Sequence, residues 1–327
     1  MLSICTRRAL IALCTLCTVS VAVLAQSAQE GQIIRIIVPF PPGGGQDAVA
    51  RYFADKLSPK LGRPVVVENR AGAGGVLAAS SVASSAPSSN QILMASAGPI
   101  SISPNLRDNL SYVPKRDFKP VALIMDSSLT VAVSATGKYR TISDLLQDAR
   151  ERPGKVMYSS LGSGSNTHML GELLAAATSV KLMHVPYKEF GQAYTDVVAG
   201  RIDVMILTEA TALSLVATGK LKILGTFTAK RSVNLPDVPT LSESTGLSGL
   251  VVPSWGGMLA PTRMSSTLVD EVGAAVLAVC QEESTRAFLT KSGAIQNCAG
   301  PAEFQKLLDT DFERWHQLIK KANIKME

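Results

Sequence analysis

The chain alternates short apolar runs with longer stretches in which apolar residues recur every three or four positions. The apolar runs predict buried strands at 32–40, 64–70, 91–97, 155–161, 181–187, 201–207 and 221–229. The stretches between them predict helices at 47–57, 75–86, 141–152, 166–178, 191–200 and 210–219. Strands that alternate with helices in this way are typical of parallel α/β units.

This alternation is interrupted twice. Residues 121–135 predict two strands with no helix between them, and residues 247–261 predict a returning strand. We interpret both interruptions as crossings between two lobes, with a ligand cleft where the carboxyl ends of the strands meet. The predicted first lobe comprises residues 26–128 and 251–327, and the second lobe comprises residues 129–250. The C-terminal part of the first lobe is predicted to contain a long helix at 265–292, a strand at 294–300 and a final helix at 301–322.

Residues 1–25 are typical of an export signal. Arg7 and Arg8 precede an apolar run, and Val23 and Ala25 place small residues before a cleavage site that follows Ala25. This pattern predicts a periplasmic protein. A membrane anchor is the alternative, because a run of about 17 apolar residues is marginal for crossing a bilayer. The remaining chain suits two lobes of about 150 residues each.

Composition excludes several classes of partner. The chain has 32 Lys and Arg residues, two of them in the signal, against 26 Asp and Glu residues, and aromatic residues make up 5%. The basic residues are scattered, so we expect no nucleic-acid surface. The three histidines lie far apart along the sequence, which favours neither a metal site nor a cofactor. Cys280 and Cys298 could form a disulfide in an oxidising compartment or remain buried thiols, and both interpretations stay open.

Three glycine-rich segments each follow a predicted strand and precede a predicted helix. They are VPFPPGGGQDAVAR (38–51), NRAGAGG (69–75) and SLGSGSNTHM (160–169). Glycine lets the backbone approach a ligand, and the free N–H groups of a helix's first turn stabilise a carboxylate or phosphate. Asp47 in the first segment, and Ser165 or Asn166 in the third, are the expected helix caps. One such segment could be a plain turn, but three at one edge favour an anion cradle. None has the spacing of a P-loop or of a dinucleotide fingerprint.

In order and spacing, these motifs resemble the periplasmic solute-binding proteins of tripartite tricarboxylate transporters, the Bug family. The similarity also includes HVPYK (184–188), GRIDVMI (200–206), KRSVNLPDVPTLSE (230–243) and SWGGMLAP (254–261). The resemblance implies a two-lobed Venus flytrap, similar to type II binding proteins, that closes on a small carboxylate and delivers it to a membrane permease. We further expect a monomer.

The resemblance also assigns ligand-binding positions. In the family, the backbone of the first loop holds a carboxyl group and side chains of the second lobe select the rest of the ligand. Carried over to this sequence, the positions are Phe40, Pro42, Gly43, Gly44, Gly45, Gln46, Asp47, Ser96, Ala97, Gly98, Ser163, Ser165, Asn166, Thr167, Tyr187 and Lys188. Four residues near the predicted cleft depart from the family pattern, which leaves the identity of the ligand open. They are Leu161, Glu189, Thr208 and Glu209.

An exported hydrolase that uses Ser165 and His168 is the competing hypothesis. The sequence has no G-x-S-x-G elbow, and its three histidines offer few general bases. Ser165 precedes His168 by three residues, which is more simply the spacing of a helix cap. We therefore predict no catalytic residue.

Overall fold

The computed structural model describes residues 33–252 and 254–324. The predicted signal, residues 1–25, lies outside this part of the chain.

Eleven strands form two sheets in the described residues. They are β1 (Ile34–Val38), β2 (Val65–Asn69), β3 (Gln91–Ala95), β4 (Phe118–Ser127), β5 (Leu129–Ser134), β6 (Val156–Ser160), β7 (Leu182–Pro186), β8 (Val204–Thr208), β9 (Leu221–Thr226), β10 (Ser254–Pro261) and β11 (Ala294–Ala299).

Helices cover both sheets. They are α1 (Gly45–Leu61), α2 (Val76–Ala83), α3 (Ser103–Leu106), α4 (Pro114–Asp117), α5 (Ile142–Glu151), α6 (Asn166–Thr178), α7 (Phe190–Val198), α8 (Glu209–Val216), α9 (Leu241–Thr245), α10 (Ser266–Cys280), α11 (Glu283–Lys291) and α12 (Pro301–Ala322). Shorter 3₁₀ or π turns occur at Ala73–Gly75, Pro87–Ser89, Gly98–Ile102 and Ser248–Leu250.

Both sheets are mixed. The first contains the parallel pairs β1–β2 and β1–β3 and the antiparallel pair β4–β11, and the second contains the parallel pairs β6–β7 and β6–β8. The first has the order β11-β4-β10-β3-β1-β2, and β10 runs antiparallel to β3 and β4. The second has the order β7-β6-β8-β5-β9, and β5 runs antiparallel to β8 and β9. Only Ser128 separates β4 from β5. The return crossing lies beside it, because Phe227 N–H donates to the Leu129 carbonyl at 2.9 Å and Val252 N–H donates to the Phe227 carbonyl at 2.9 Å.

Local sequence explains where the helices begin and end. α5 begins with a capping box, in which the Thr141 hydroxyl accepts from Asp144 N–H and the Asp144 carboxylate accepts from Thr141 N–H. α1 ends at Gly62, whose φ of 61° is a left-handed conformation that glycine adopts without strain. β1 is almost entirely buried, as expected for a parallel strand with helices on both faces.

A hydrophobic core continues from one lobe into the other. It joins Trp255 and Phe304 of the first lobe to Tyr158 and Leu170 of the second. A separate cluster packs α1 and α10 against the other face of the first sheet. The lobes therefore share packed side chains as well as the two crossings. No helix in the described residues combines the length and hydrophobicity that a membrane span requires.

The prediction of one long helix at 265–292 was wrong, because the structure has two helices there. The stretch at 265–292 divides into α10 and α11, since Glu282 adopts extended backbone angles. Its carboxylate accepts hydrogen bonds from the ammonium groups of Lys56 at 2.9 Å and Lys60 at 3.0 Å, which tie the break to α1. Apolar positions keep helical spacing on both sides of the break, so periodicity alone could not reveal it.

Cys280 and Cys298 form a disulfide, which the sequence left undecided. The bond joins the end of α10 to β11 over a separation of 18 residues. It therefore encloses α11 in a covalent loop at the edge of the first sheet.

Reduction of this disulfide should lower the free energy of unfolding by about 3 kcal/mol, because it releases the loop-closure constraint on the unfolded chain. Urea unfolding with and without dithiothreitol measures the difference. The double variant Cys280→Ser/Cys298→Ser should match the reduced protein and show no response to dithiothreitol. Equal stability of oxidised and reduced protein would contradict this expectation.

Candidate functional site

The two lobes enclose a cavity at the carboxyl ends of the parallel strands. Its volume is about 90 Å³, several times the roughly 10–15 Å³ that one water molecule needs. Residues that follow β1, β3, β6 and β8 line it, together with the lobe crossings and the start of β10. This edge is where ligands of α/β folds bind.

The structure brings nine of the predicted binding residues together at this cavity. They are Phe40, Gly44, Gly45, Gln46, Asp47, Ser96, Ser165, Asn166 and Thr167.

The other seven predicted residues do not line the cavity. Pro42, Gly43 and Lys188 are exposed, and Ala97 and Gly98 are buried after β3. The Tyr187 hydroxyl donates to Asp196 Oδ2 at 2.7 Å instead of to the cavity. Ser163 lies at the contact between the lobes, where its carbonyl accepts from Arg107 Nη2 at 3.3 Å.

Several lining residues were not among the predicted ligand-binding positions, although Leu161 and Thr208 had been placed near the predicted cleft. They include Pro41, Met125, Ser127, Leu129, Ser159, Ser160, Leu161, Phe190, Met205, Thr208, Thr211, Ser254 and Trp255. Most follow a strand or lie at a lobe crossing, so the rule that ligands bind at strand ends could have found them. Phe190 begins a helix that packs over the sheet, and no sequence signal identified it.

Asp47 shapes the first loop from within α1. It was expected to cap this helix, but the helix begins two residues earlier, and Gly44 is its N-cap with no side-chain hydrogen bond. The Asp47 carboxylate accepts from Gly43 N–H at 3.0 Å, Arg51 Nε at 3.0 Å and Asn69 Nδ2 at 2.9 Å. Burial opposes ionisation of this carboxyl, but these donors outweigh it and hold the pKa of Asp47 below its usual value.

Because Asp47 is occupied by the loop, the first turn of α1 keeps free backbone donors. The N–H groups of Gly45 and Gln46 have no acceptor among the described residues. Both residues line the cavity. Such donors at a helix N-terminus stabilise an anion.

The second-lobe loop presents another helix N-terminus to the cavity. Ser165 caps α6, because its hydroxyl accepts from His168 N–H at 3.2 Å. Thr167 Oγ1 accepts from Leu161 N–H at 3.2 Å, which fixes the preceding turn. Asn166 reaches across the cleft, where its Nδ2 donates to Ser254 Oγ of the first lobe at 3.0 Å. The N–H groups of Asn166 and Thr167 have no acceptor in the described part of the chain.

A third helix, α8, also begins at the cavity. Its N-cap Thr208 lines the wall, and the Thr208 hydroxyl accepts from Thr211 N–H at 3.4 Å. The helices α1, α6 and α8 therefore direct their positive ends toward one enclosed space.

Three buried side-chain atoms at the cavity have no hydrogen-bond partner in the described residues. They are Gln46 Oε1, Ser96 Oγ and Asn166 Oδ1. Buried polar atoms in folded proteins are almost always hydrogen bonded. Ser96 and Gln46 belong to the first lobe and Asn166 to the second, so a polar ligand group that met them would contact both lobes.

Glycines permit the close approach of the two lobes. A Cβ atom on Gly74 would lie 2.7 Å from both the Ser163 carbonyl oxygen and the Ser165 nitrogen. A Cβ atom on Gly98 would lie 3.0 Å from the Gly74 carbonyl oxygen. The loop 69–75 therefore contacts the second lobe through its backbone, and none of its residues lines the cavity.

Two histidines pack behind the second-lobe loop. The rings of His168 and His184 have their centroids 4.0 Å apart, and His168 Nδ1 accepts from Gly164 N–H at 3.1 Å. Burial lowers the pKa of His168 to about 4. Burial, with the neighbouring His168, lowers the pKa of His184 to about 3. Both rings are therefore neutral at pH 7.

This geometry does not supply a catalytic triad. The Ser165 hydroxyl faces the backbone of His168 rather than its ring. Ser160 Oγ lies 2.6 Å from His184 Nε2, but no carboxylate orients the His184 ring among the described residues. Those residues also contain no cluster of three or more His, Cys, Asp or Glu side chains that could hold a metal ion.

Comparison with known proteins identifies the family. The model of the tripartite tricarboxylate transporter family receptor matches residues 49–324. The chain belongs to this receptor family. A relative from Pseudomonas sp. (strain P51), named as a UPF0065 protein in the tcbD-tcbE intergenic region, is 35% identical over 86% of this chain and 84% of the relative.

The fold of this chain is similar to that of solved periplasmic binding proteins. The periplasmic binding protein BugD is 31% identical, and the match covers 90% of this chain and 99% of BugD with a TM-score of 0.84. The R. palustris protein Rpa4515, solved with adipate, is 29% identical over 89% of this chain and 97% of its own, also with a TM-score of 0.84. The predicted family and the two-lobed α/β binding-protein fold are confirmed, and the chain is a solute-binding receptor.

Substitution of Gly74 by alanine should keep the receptor partly open, because the added Cβ meets the backbone of the second lobe. Gly154→Ala is a matched control, since Gly154 has a similar φ of 73° but no atom near the added Cβ. Both variants should lose about 1 kcal/mol of stability, because alanine is strained at positive φ. Small-angle scattering should show a larger radius of gyration for Gly74→Ala alone. Equal radii for the two variants would count against this role of Gly74.

The free energy of unfolding should fall at acidic pH, because His168 and His184 are buried as neutral rings. Their pKa values are lower than the value of about 6.5 in the unfolded chain, so the unfolded state binds more protons below that pH. The stabilisation is fully present above about pH 6.5 and is lost as the pH falls toward 4. For His168 the loss at pH 4 is roughly 3 kcal/mol.

Urea unfolding at pH 7.5 and pH 4.5 tests this expectation. His168→Asn keeps an acceptor for Gly164 N–H but removes the titrating ring, so it should lose less stability between the two pH values. The same pH dependence in wild type and variant would show that His168 does not contribute.

Proposed function

We propose that this receptor captures a small carboxylate between its lobes in the periplasm and presents it to the membrane permease of a tripartite tricarboxylate-type transporter. The convergence of the α1 and α6 N-termini, with their free N–H groups, on one interlobe cavity carries this proposal. Each N-terminus stabilises a nearby anion by about 0.3–1 kcal/mol, and by up to about 2 kcal/mol when partly buried. Free N–H groups of α1 and α6 add directed hydrogen bonds.

Carboxylate binding would also drive closure. The free donors of Gly45 and Gln46 belong to one lobe, and those of Asn166 and Thr167 to the other. A ligand shifts a conformational equilibrium only by binding one state more tightly, and only the closed state offers both sets of donors. A transporter that recognises the closed form would then distinguish loaded from empty receptor. Rpa4515, which was solved with adipate, supports a carboxylate as the ligand class.

Further parts of the proposal concern the mature protein. It comprises residues 26–327 after cleavage at Ala25, acts as a monomer, and has lobes of residues 26–128 with 251–327 and of residues 129–250. Ligand contacts are assigned to the nine predicted residues at the cavity. Binding alone requires no acid or base with a pKa near neutrality, so the function needs no catalytic group.

Calorimetric titration and thermal shift of the mature chain test this function. The panel is malate, adipate, hexanoate and benzoate, with the corresponding amides as neutral controls. An acid at a hundred times its Kd should raise the free energy of unfolding by about 2.7 kcal/mol, and its amide should not. Failure of every acid to bind would overturn the proposal.

The variant Asn166→Asp tests whether the first turn of α6 contributes to carboxylate binding. It places a negative charge in the first turn of α6 with almost no change in size, so it should weaken acid binding at least roughly tenfold. Asn109→Asp is the matched control, because it makes the same change at an exposed position. Equal weakening by both variants would show that net charge, rather than the cradle, controls affinity.

A further inference from the structure

The cavity wall carries almost no charge. Asp47 is the one ionisable side chain among the described lining residues, and Arg51 and Asn69 already bind its carboxylate. Lys, Arg and His are absent from that lining. A buried carboxylate without a cation or hydrogen-bond donors is strongly destabilised. The ligand therefore depends on backbone donors for each negative charge that it brings.

The three helix N-termini are not equivalent toward an anion. The first turns of α1 and α8 contain the acids Asp47 and Glu209, whereas that of α6 contains none. Glu209 directly follows the lining residue Thr208 and is 1% exposed. Its Oε1 accepts from Ser232 Oγ and Asn234 Nδ2, and it has no ion-pair partner in the described part of the chain. The α8 end of the cavity thus lies next to a buried acidic side chain that has no cation beside it.

At the α6 end of the cavity, the loop before the helix contacts a positively charged side chain, Arg107. The Arg107 guanidinium donates to the Ser163 carbonyl, two residues before the α6 cap Ser165. Arg107 has no acidic partner among the described residues. The α6 end of the cavity therefore favours an anion more than the α8 end does.

Apolar side chains dominate the rest of the wall. They include Phe40, Met125, Leu129, Phe190, Met205 and Trp255. Three second-lobe hydroxyls are already bonded within the protein, because Ser159 Oγ donates to the Val204 carbonyl and the hydroxyls of Thr208 and Thr211 lie 2.9 Å apart. This surface suits an aliphatic or aromatic group.

We propose that the receptor selects a monocarboxylate with an aliphatic or aromatic body and discriminates against a second carboxylate at the far end. This inference rests on the proposed function and narrows its substrate class. It distinguishes this chain from Rpa4515, whose adipate carries two carboxylates.

Two matched pairs of acids test the selection by calorimetric titration of the mature chain. Hexanoate and adipate differ by one terminal carboxylate, as do benzoate and terephthalate. In at least one pair the monoacid should bind at least roughly tenfold more tightly than the diacid. Equal or tighter binding of the diacid in both pairs would overturn the inference and leave the proposed function intact. If none of the four acids, nor malate, binds, the inference falls together with the proposed function.

Glu209→Gln tests the origin of the discrimination. Glutamine keeps an acceptor for Ser232 and Asn234 but removes the acid, so the ratio of diacid to monoacid Kd should fall at least roughly threefold. Glu313→Gln, at an exposed position of α12 that does not line the cavity, should leave the ratio unchanged. An unchanged ratio in Glu209→Gln, with a melting temperature near that of wild type, would show that Glu209 does not exclude the second carboxylate.

Discussion

The backbone N–H groups in the first turn of a helix have no acceptor within that helix, and this constraint organises the whole site. Most helices satisfy these donors with a side chain or with solvent. Here the acid nearest the start of α1 turns back to its own loop, and Gly44 provides no side-chain cap. The donors stay directed into a cavity that both lobes close. In the proposed function, these backbone groups would supply the affinity for an anion, while side chains shape the space around it.

The fold was largely predictable because it follows from periodicity. Strands alternating with helices predicted two α/β lobes, and glycine-rich loops after strands predicted the edge at which the cavity lies. Details that depend on tertiary contacts were not predictable. Glu282 interrupts a helical pattern at the point where Lys56 and Lys60 of α1, far away in sequence, contact its carboxylate. The helix α1 begins at Gly45, and the Asp47 carboxylate binds Arg51 and Asn69 instead of acting as the helix N-cap.

The site was predicted less completely than the fold, for a related reason. Loop residues such as Gly45, Ser165 and Asn166 could be assigned because a local motif names them. Phe190 and Met205 reach the cavity through the packing of α7 and the pairing of β8, which no local motif encodes. Tyr187 and Lys188 follow a strand end, as a binding residue should. Tyr187 nevertheless bonds to Asp196, and Lys188 is exposed to solvent. A position at the correct edge does not fix the direction of a side chain.

The order of strands in the first sheet has a consequence for how the polypeptide folds. β10 lies between β3 and β4, yet it is synthesised more than a hundred residues after either of them. The second sheet, in contrast, is built from one continuous segment. Long-range pairings form slowly because a large loop must close first. The second lobe should therefore assemble early, while the first lobe exposes an unfilled gap in its sheet until the C-terminal strands arrive. During that interval the chain is most vulnerable to aggregation and to proteases.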